Sequence, residues 1–165
     1  MDKKERYSYI IENELYKLHL QKIEEYEKER VFCHHDPVHF MDVARIGMIL
    51  NLNEKYHLKK DVIYAAALLH DIGRDVQYMD GTPHEKASVE IAKKILSMAE
   101  SDYSEKEKKK ILKAIENHRN EKIKNKKNLS GLLYRADKLS RPCYFCKAFA
   151  DCNWKGEKKN KEFLF

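Results

Sequence analysis

The sequence is poor in the residues that interrupt helices, with five glycines and three prolines among its 165 residues. No segment alternates apolar and polar residues for long enough to predict a β-strand. Lysine, glutamate, leucine, isoleucine and alanine recur throughout, and these residues are common in helices. The sequence therefore predicts an all-α protein, and its length suits a single domain over residues 1–165.

Long apolar runs are missing as well. None approaches the roughly 18 residues that a membrane-spanning helix needs, and no signal peptide is recognisable, so we expect a cytoplasmic protein without a membrane partner. The net charge of +6 comes largely from lysine clusters. These clusters have no interleaved aromatic residues and accompany no nucleic-acid-binding motif, so no specific nucleic-acid partner is inferred. The positive field favours a small phosphorylated molecule, with a nucleotide as the expected class.

Three regions follow one another along the chain. Residues 1–30 carry apolar positions at helical spacing and predict one or two amphipathic helices. Residues 31–141 hold the candidate core and its histidines. Residues 142–165 form a short extension that is rich in cysteine and lysine.

Capping signals mark three helix starts in the core. They are Asp36 before Pro37, Thr82 with Glu85, and Ser104 with Glu107. Another helix is predicted from about Lys60 to Asp71, and Gly73 is expected to stop it from continuing. Residues 74–81, which hold Arg74, Asp75, Asp80 and Gly81, are a predicted loop. Residues 119–128 are predicted as an exposed loop, since this segment shows no apolar period.

The most informative stretch is AAALLHDIGR, residues 65–74. Its apolar residues predict a buried helix with His70 and Asp71 at the inner end. A buried carboxylate is costly unless it is compensated, and a metal ion is one of few adequate partners. An aspartate that caps the helix beside a core histidine is the alternative.

Four further imidazoles or carboxylates fall on the apolar faces of predicted helices. They are His39, His84, His118 and Asp137. One such group is commonly a satisfied core residue, but six together need partners that a metal supplies. Imidazole with carboxylate suits Fe, Mn, Co, Ni or Zn. Six donors exceed the needs of one catalytic ion, so we predict two divalent ions that Asp71 bridges, with a bridging water as the activated nucleophile.

These residues resemble the HD-domain superfamily of metal-dependent phosphohydrolases. The signature positions are His39 in HFMDVAR, His70 and Asp71 in LLHDIGR, and Asp137 in RADKLSR, while His84 and His118 match the extra ligands of dinuclear branches. The resemblance covers residues 33–141. It implies a helical bundle of five core helices around the metal site, and hydrolysis of phosphate esters or anhydrides.

Several branches share this six-ligand pattern. It is similar to that of bacterial dinucleoside tetraphosphate hydrolases, and also to cyclic dinucleotide phosphodiesterases, although their Gly-Tyr-Pro motif is missing here. It also resembles di-iron oxygenases that cleave organophosphonates. We therefore expect a phosphomonoesterase, phosphodiesterase or nucleotide pyrophosphohydrolase, with Fe or Mn preferred over Zn, Co and Ni. The alternatives are a di-iron oxygenase and a non-catalytic nucleotide or metal sensor.

Cations beside the signature residues are candidate phosphate contacts. Arg74, three residues past Asp71, is predicted to bind phosphate and to support catalysis. Lys138 is the second candidate and Arg141 a weaker third. His35 precedes a helix start, and we expect it in a loop or at the rim of the site, where it binds substrate or donates a proton.

The four cysteines offer a second metal site. They are Cys33, Cys143, Cys146 and Cys152. Cys33 lies six residues before His39, and Cys143 lies six residues after Asp137. If these two ligands meet at one metal on antiparallel helices, the thiols converge nearby and form a structural zinc or iron–sulfur site. Separate reduced cysteines are the alternative. The sequence leaves the oligomeric state open.

Overall fold

The structure, a computed structural model, describes residues 4–162. Within these residues there are eight α-helices and four short 3-10 helices, and no strand. The α-helices are α1 (Arg6–Glu12), α2 (Glu14–Glu27), α3 (Pro37–Asn53), α4 (Lys60–Leu69), α5 (Arg74–Asp80), α6 (His84–Leu96), α7 (Glu105–Asn117) and α8 (Leu129–Leu139). The 3-10 helices are Ala99–Ser101, Glu121–Ile123, Cys143–Phe145 and Gly156–Lys158. The prediction of an all-α fold is confirmed.

The N-terminal region contains two helices because Asn13 separates them. Its backbone is extended, and its side chain accepts hydrogen bonds from the N–H groups of Leu15 and Tyr16, which caps α2. The apolar stripe that the sequence predicted here is buried at Ile10, Tyr16 and Ile23. These helices pack against α4 and α5, so they cover one side of the core.

The centre of the fold is a set of packed helices in which α3 contacts α4 and α8, and α7 contacts α6 and α8. Phe40, Ile63, Ile111 and Leu132 are among the fully buried side chains between them. Burial of aliphatic and aromatic side chains is the main stabilising term in such a core. The packing brings the start of α3 and α6 near the ends of α4, α7 and α8.

Two of the three predicted caps are present. Asp36 accepts a hydrogen bond of 2.8 Å from the His39 N–H, and the Ser104 and Glu107 capping box is complete. The predicted box of Thr82 with Glu85 is wrong, because Pro83 is the N-cap residue of α6 and no side chain caps it. The Thr82 N–H instead donates to Asp80 Oδ1 at 2.9 Å, which ties Thr82 to the end of α5.

Residues 74–81 were predicted as a loop, and this is wrong because α5 occupies 74–80. The helix ends at Gly81, whose φ of 82° is the left-handed conformation that glycine tolerates. Asp75 is the buried residue of α5 and lies 2.8 Å from His19 Nδ1 of α2. Because this seven-residue helix is held by a polar tertiary contact, its sequence lacks the apolar period from which a helix is predicted.

Gly73 acts differently from the helix terminator that the sequence predicted. Helix α4 already ends at Leu69, and Gly73 has a φ of −90°, which is open to other residues. The need for glycine is steric, since a Cβ here would lie 2.4 Å from the Ser88 backbone nitrogen. Gly73 therefore lets α6 approach the turn that carries His70 and Asp71, and its N–H donates to Ser88 Oγ at 2.9 Å.

The segment at 119–128 is exposed over most of its length, as predicted, but it includes a 3-10 helix with a buried Ile123. The tail after α8 is held by Asn160, whose side-chain Nδ2 donates to the carbonyl oxygens of Lys138 and Arg141 at 2.7 Å each. No helix in the described residues has the length and apolar character to span a membrane.

Arg6 fixes α1 to the core through ion pairs and an aromatic contact. Its Nε lies 2.9 Å from Asp61 Oδ2, its Nη1 lies 3.0 Å from Glu107 Oε2, and its guanidinium stacks over the Tyr103 ring. The Arg6 hydrogen bond holds the pKa of Glu107 well below its ordinary value of 4.5. Because a lowered folded-state pKa stabilises the fold only while the carboxylate is ionised, this contribution is present above about pH 4.5 and lost below it.

We predict that Arg6→Ala lowers the free energy of unfolding by about 1 to 3 kcal/mol at pH 7. The difference from the wild type should shrink in urea unfolding at pH 3, because this pH is below the unfolded-state pKa of Glu107 and unfolding then takes up a proton. Lys17→Ala is the control, since Lys17 pairs with Glu14 on the exposed face of α2 and should change stability by less than about 0.5 kcal/mol. An equal loss for both variants would contradict the anchoring role of Arg6.

Candidate metal centre

The six predicted ligand residues come together at one point of the fold. They are His39 in the first turn of α3, His70 and Asp71 just after α4, His84 at the start of α6, His118 just after α7, and Asp137 in the last turn of α8. All six are buried. Five separate segments therefore each direct a donor side chain into one polar cluster inside an otherwise apolar core.

The cluster divides into two groups whose donor atoms lie within 4.8 Å of one another. One group is His39, His70, Asp71 and Asp137, and the other is Asp71, His84 and His118. Asp71 belongs to both. Its Oδ2 lies 3.2 Å from His70 Nε2 and 3.9 Å from His39 Nε2. Its Oδ1 lies 3.0 Å from His84 Nε2 and 3.3 Å from His118 Nε2.

Asp137 completes the first group. Its Oδ1 lies 3.4 Å from His39 Nε2 and 3.6 Å from His70 Nε2. Its Oδ2 accepts a hydrogen bond of 2.6 Å from Lys138 Nζ. Lys138, which the sequence suggested as a phosphate contact, thus also orients this carboxylate so that one oxygen faces the imidazoles.

Each of the four imidazoles has an acceptor for its Nδ1, and this orients the ring. The acceptors are the carbonyl oxygen of Ala67 for His70 (2.7 Å), the carbonyl oxygen of Ile115 for His118 (2.6 Å), Gln77 Oε1 for His84 (2.8 Å) and Ser140 Oγ for His39 (3.2 Å). An Nδ1–H that donates outward leaves the Nε2 lone pair directed into the cluster, which is the tautomer that a metal requires.

The charge state of the cluster also suits a cation. Burial favours the neutral acids, yet neighbouring Arg74 and His70 hold the pKa of Asp71 well below its ordinary value. Asp137 is likewise kept ionised, chiefly by Lys138. Burial lowers the pKa of His39 and of His84 to about 4, so both rings are neutral donors at pH 7. Burial also opposes the charged form of His70, but Asp71 and Asp137 raise its pKa to about 9, so a metal would have to displace the Nε2 proton of this ring.

Two observations on the imidazole nitrogens of the cluster test whether a metal fits there. His70 Nε2 is buried and has no hydrogen-bond partner, and His84 Nε2 lies 3.1 Å from His118 Nε2, although both lone pairs face each other. A cation between them removes this conflict, so the donor set fits a metal. Arg141 Nη2 lies 3.1 Å from His39 Nε2 and must leave that nitrogen when His39 acts as a ligand.

His35 and Glu27 form a dyad beside the cluster that sequence reasoning did not find. The sequence placed His35 in a loop or at the rim, but its side chain is buried and its Nδ1 donates to Glu27 Oε1. Its Nε2 lies 3.6 Å from Asp71 Oδ2. Burial opposes ionisation of Glu27, but hydrogen bonds from His35 and Tyr78 lower its pKa to about 2. The available signal was Glu27 itself, a charge four residues after Ile23 on the buried stripe of α2.

The cluster opens into a cavity of about 600 Å³. Basic residues predominate in its wall: Arg30, Arg74, Arg119, Lys138, Arg141, Lys158 and Lys159. Aromatic side chains form another part of the wall: Phe32, Tyr134, Phe149 and Trp154. Arg74 stands at the boundary between cavity and cluster, with its Nε 3.3 Å from Asp71 Oδ1.

The predicted convergence of the cysteines has a partial counterpart in the structure. All four thiols are free and line this same cavity. Among the described residues, however, the groups of three or more donor atoms within 4.8 Å of one another contain histidine and aspartate alone. The thiols therefore share one wall without forming a compact four-sulfur group.

The comparisons with known proteins agree with this geometry. The chain matches the HD domain family over residues 38–141, and it belongs to that family. HD domain proteins are commonly metal-dependent phosphohydrolases, which indicates hydrolase activity in general terms. An uncharacterized protein of Clostridium beijerinckii is 45% identical over 161 residues, which are 98% of this chain and 99% of the relative. No solved structure matches the chain.

We predict that Gln77→Ala weakens metal binding by about 10 to 100-fold, because His84 loses the acceptor that fixes its ring. Titration of Mn²⁺ into metal-depleted protein, followed by calorimetry, measures the change. Gln21→Ala is the matched control, since Gln21 is exposed and bonds to Glu25 on the surface of α2. Equal affinities for the two variants would show that Gln77 does not orient a ligand.

Proposed function

We propose that the protein is a metal-dependent phosphohydrolase with a dinuclear centre, acting on a small phosphorylated compound of the nucleotide class. The observation that carries this proposal is the position of Asp71. Its two carboxylate oxygens face two different sets of ligands, at 3.2 Å from His70 on one side and 3.0 Å from His84 on the other. A carboxylate that bridges two ions is the arrangement typical of two-metal hydrolytic sites.

The ligand assignment follows the two groups of donors. His39, His70, Asp71 and Asp137 would hold one ion, and Asp71, His84 and His118 the other. When bound, the two ions supply Lewis-acid catalysis and lower the pKa of a bound water. Imidazole and carboxylate donors suit Fe or Mn, and also Zn, Co and Ni.

The wall of the cavity supports a phosphorylated substrate. Arg74 lies beside Asp71 with part of its side chain open to the cavity, so its guanidinium can donate to phosphoryl oxygens. Lys138 is the second contact, and its ammonium lies 5.6 Å from the centre of the Trp154 ring. A cation next to an aromatic face suits a nucleotide, because the base stacks while the phosphates pair with the cation.

His35 is the residue we assign to proton transfer or substrate binding at this centre. Its Nδ1–H is held by Glu27, so the Nε2 lone pair is directed toward Asp71. Burial lowers the pKa of His35, which keeps the ring neutral and able to accept a proton. Glu27 is a positioning residue, because it contacts His35 and not the cavity centre.

The decisive experiment combines metal analysis with a substrate screen. Protein purified without oxygen should contain two metal equivalents per chain beyond any iron that accompanies acid-labile sulfide, and it should hydrolyse at least one nucleotide or phosphate ester with Fe, Mn, Co, Ni or Zn. Asp71→Ala should reduce turnover at least a hundredfold, roughly, and His84→Ala should leave one metal equivalent. His57→Asn, which alters an exposed histidine outside the centre, is the control.

Other outcomes would overturn the assignment. Nucleotide binding without turnover would indicate a sensor. Oxygen consumption with a mixed-valent iron signal, and no phosphate release from any ester, would indicate a di-iron oxygenase. A single metal equivalent that survives in His84→Ala and His118→Ala would contradict the dinuclear centre.

We predict that Glu27→Gln lowers kcat by about 10 to 100-fold with little change in KM or metal content, because His35 loses its anionic partner. Tyr78→Phe is the matched control. It removes the Tyr78 hydroxyl that donates to Glu27 Oε1 at 2.6 Å but leaves the His35 contact intact, so its effect should be much smaller. A proportional loss of bound metal in Glu27→Gln would instead assign Glu27 a structural role.

A further inference from the structure

The four cysteines form a second set of metal-binding side chains that the proposed hydrolysis does not use. Cys33 precedes α3, and Cys143, Cys146 and Cys152 follow α8. These segments are 110 residues apart in sequence, from 33 to 143, yet all four thiols line the cavity of the metal centre. The fold therefore brings every cysteine of the chain into the lining of one cavity.

The backbone around these thiols is tightly turned. The Cys146 N–H donates to the Cys143 carbonyl at 3.1 Å, and the Cys152 N–H donates to the Ala148 carbonyl at 3.0 Å. Such turns direct side chains that are close in sequence toward the same side. Arg141 joins this tail to the segment of Cys33, because its Nη1 donates to the His34 carbonyl at 2.8 Å.

Charged and polarisable neighbours affect the ionisation of Cys33. Burial raises the pKa of Cys33, and the other three cysteines raise it further, whereas Arg141 lowers it. Arg30, Lys158 and Lys159 add positive charge to the same cavity wall. Thiolates that share one site repel one another, so neighbouring cations and a bound metal favour their ionised form.

The four thiols are spaced more widely than one shared zinc ion requires. A single zinc ion with four thiolates needs them within about 3.8 Å of one another, since each Zn–S bond is about 2.3 Å. No three of the described thiols lie within 4.8 Å of one another. In a four-iron cluster each cysteine binds a different iron, so the sulfur ligands stand farther apart.

We propose that Cys33, Cys143, Cys146 and Cys152 hold an iron–sulfur cluster in the wall of the cavity, beside the histidine and aspartate centre. The cluster would join two segments that carry active-site residues. Cys33 lies two residues before His35, and Cys143 lies two residues after Arg141. Its role is to position these segments, and this proposal stands whether or not the neighbouring centre hydrolyses phosphate compounds.

The test measures acid-labile sulfide, which a cluster contains and the histidine and aspartate centre does not. The full chain, purified without oxygen and reconstituted with Fe²⁺ and sulfide, should hold about four sulfides per chain and show the broad visible absorption of a cluster. Cys33→Ser and Cys146→Ser should each lose most of the sulfide. Ala150→Ser is the control, since it introduces a serine hydroxyl into the same tail and should keep the sulfide. His84→Ala should lose iron from the histidine and aspartate centre but keep the sulfide.

Three results would overturn the proposal. The first is wild-type protein that retains no sulfide after reconstitution. The second is zinc bound at the cysteines in place of iron, which would assign a zinc site. The third is sulfide that persists in Cys33→Ser, which would place a cluster outside this four-cysteine set. Circular dichroism of each variant shows whether it folds, and Mössbauer spectra of the ⁵⁷Fe-loaded wild type detect a cluster independently of any variant.

Discussion

The buried, ionised carboxylate of Asp71 is the constraint on which the rest of the structure depends. It is 1% exposed and has Arg74, His35 and three of the cluster imidazoles within ion-pair distance of its two oxygens, with the fourth, His39, at the edge of that range. A charge at this depth would be strongly destabilising without such partners. To supply them, the fold brings helix ends together, because a side chain at a helix end can reach the centre while the helix body packs in the apolar core. The polar cluster and the hydrophobic core are therefore parts of one arrangement.

The sequence was sufficient to predict the helical class and the residues of the cluster, because helical spacing determines which side of a helix faces the core. His39, His84 and Asp137 share their faces with aliphatic residues that had to be buried. Where a segment is held by polar tertiary contacts, this signal is lost. Helix α5 depends on Asp75 and His19, Thr82 bonds to Asp80 instead of capping α6, and Gly73 is required by the backbone of Ser88. None of these contacts leaves an apolar period.

The Glu27 and His35 dyad is a second feature that the sequence pattern did not predict, for a different reason. Glu27 stands on the apolar stripe of α2, where a lone charged residue can be an exposed edge position or a buried partner. The distinction depends on how α2 packs against α5 and on the path of the chain before α3. The tail is the extreme case, since it has short 3-10 helices and no amphipathic pattern, and it contributes Trp154, Lys158 and Lys159 to the cavity. Several side chains that line the cavity thus come from the part of the chain with the weakest sequence signal.

The two hydrogen bonds that Asn160 donates tie the C-terminal region of the chain to the end of α8. They satisfy the carbonyl oxygens of Lys138 and Arg141, which lie where α8 ends and where its last carbonyl groups lack partners within the helix. Helix α8 also carries Asp137, so a residue 23 positions later in the chain supports the end of the helix that presents a carboxylate of the histidine and aspartate cluster. In a shortened chain that stops before Asn160, the loss would not be limited to side chains near the cavity. Such a chain would also lose the hydrogen bond that Asn160 donates to the Lys138 carbonyl in the last turn of α8, so a residue outside the family segment at 38–141 contributes to the end of this helix.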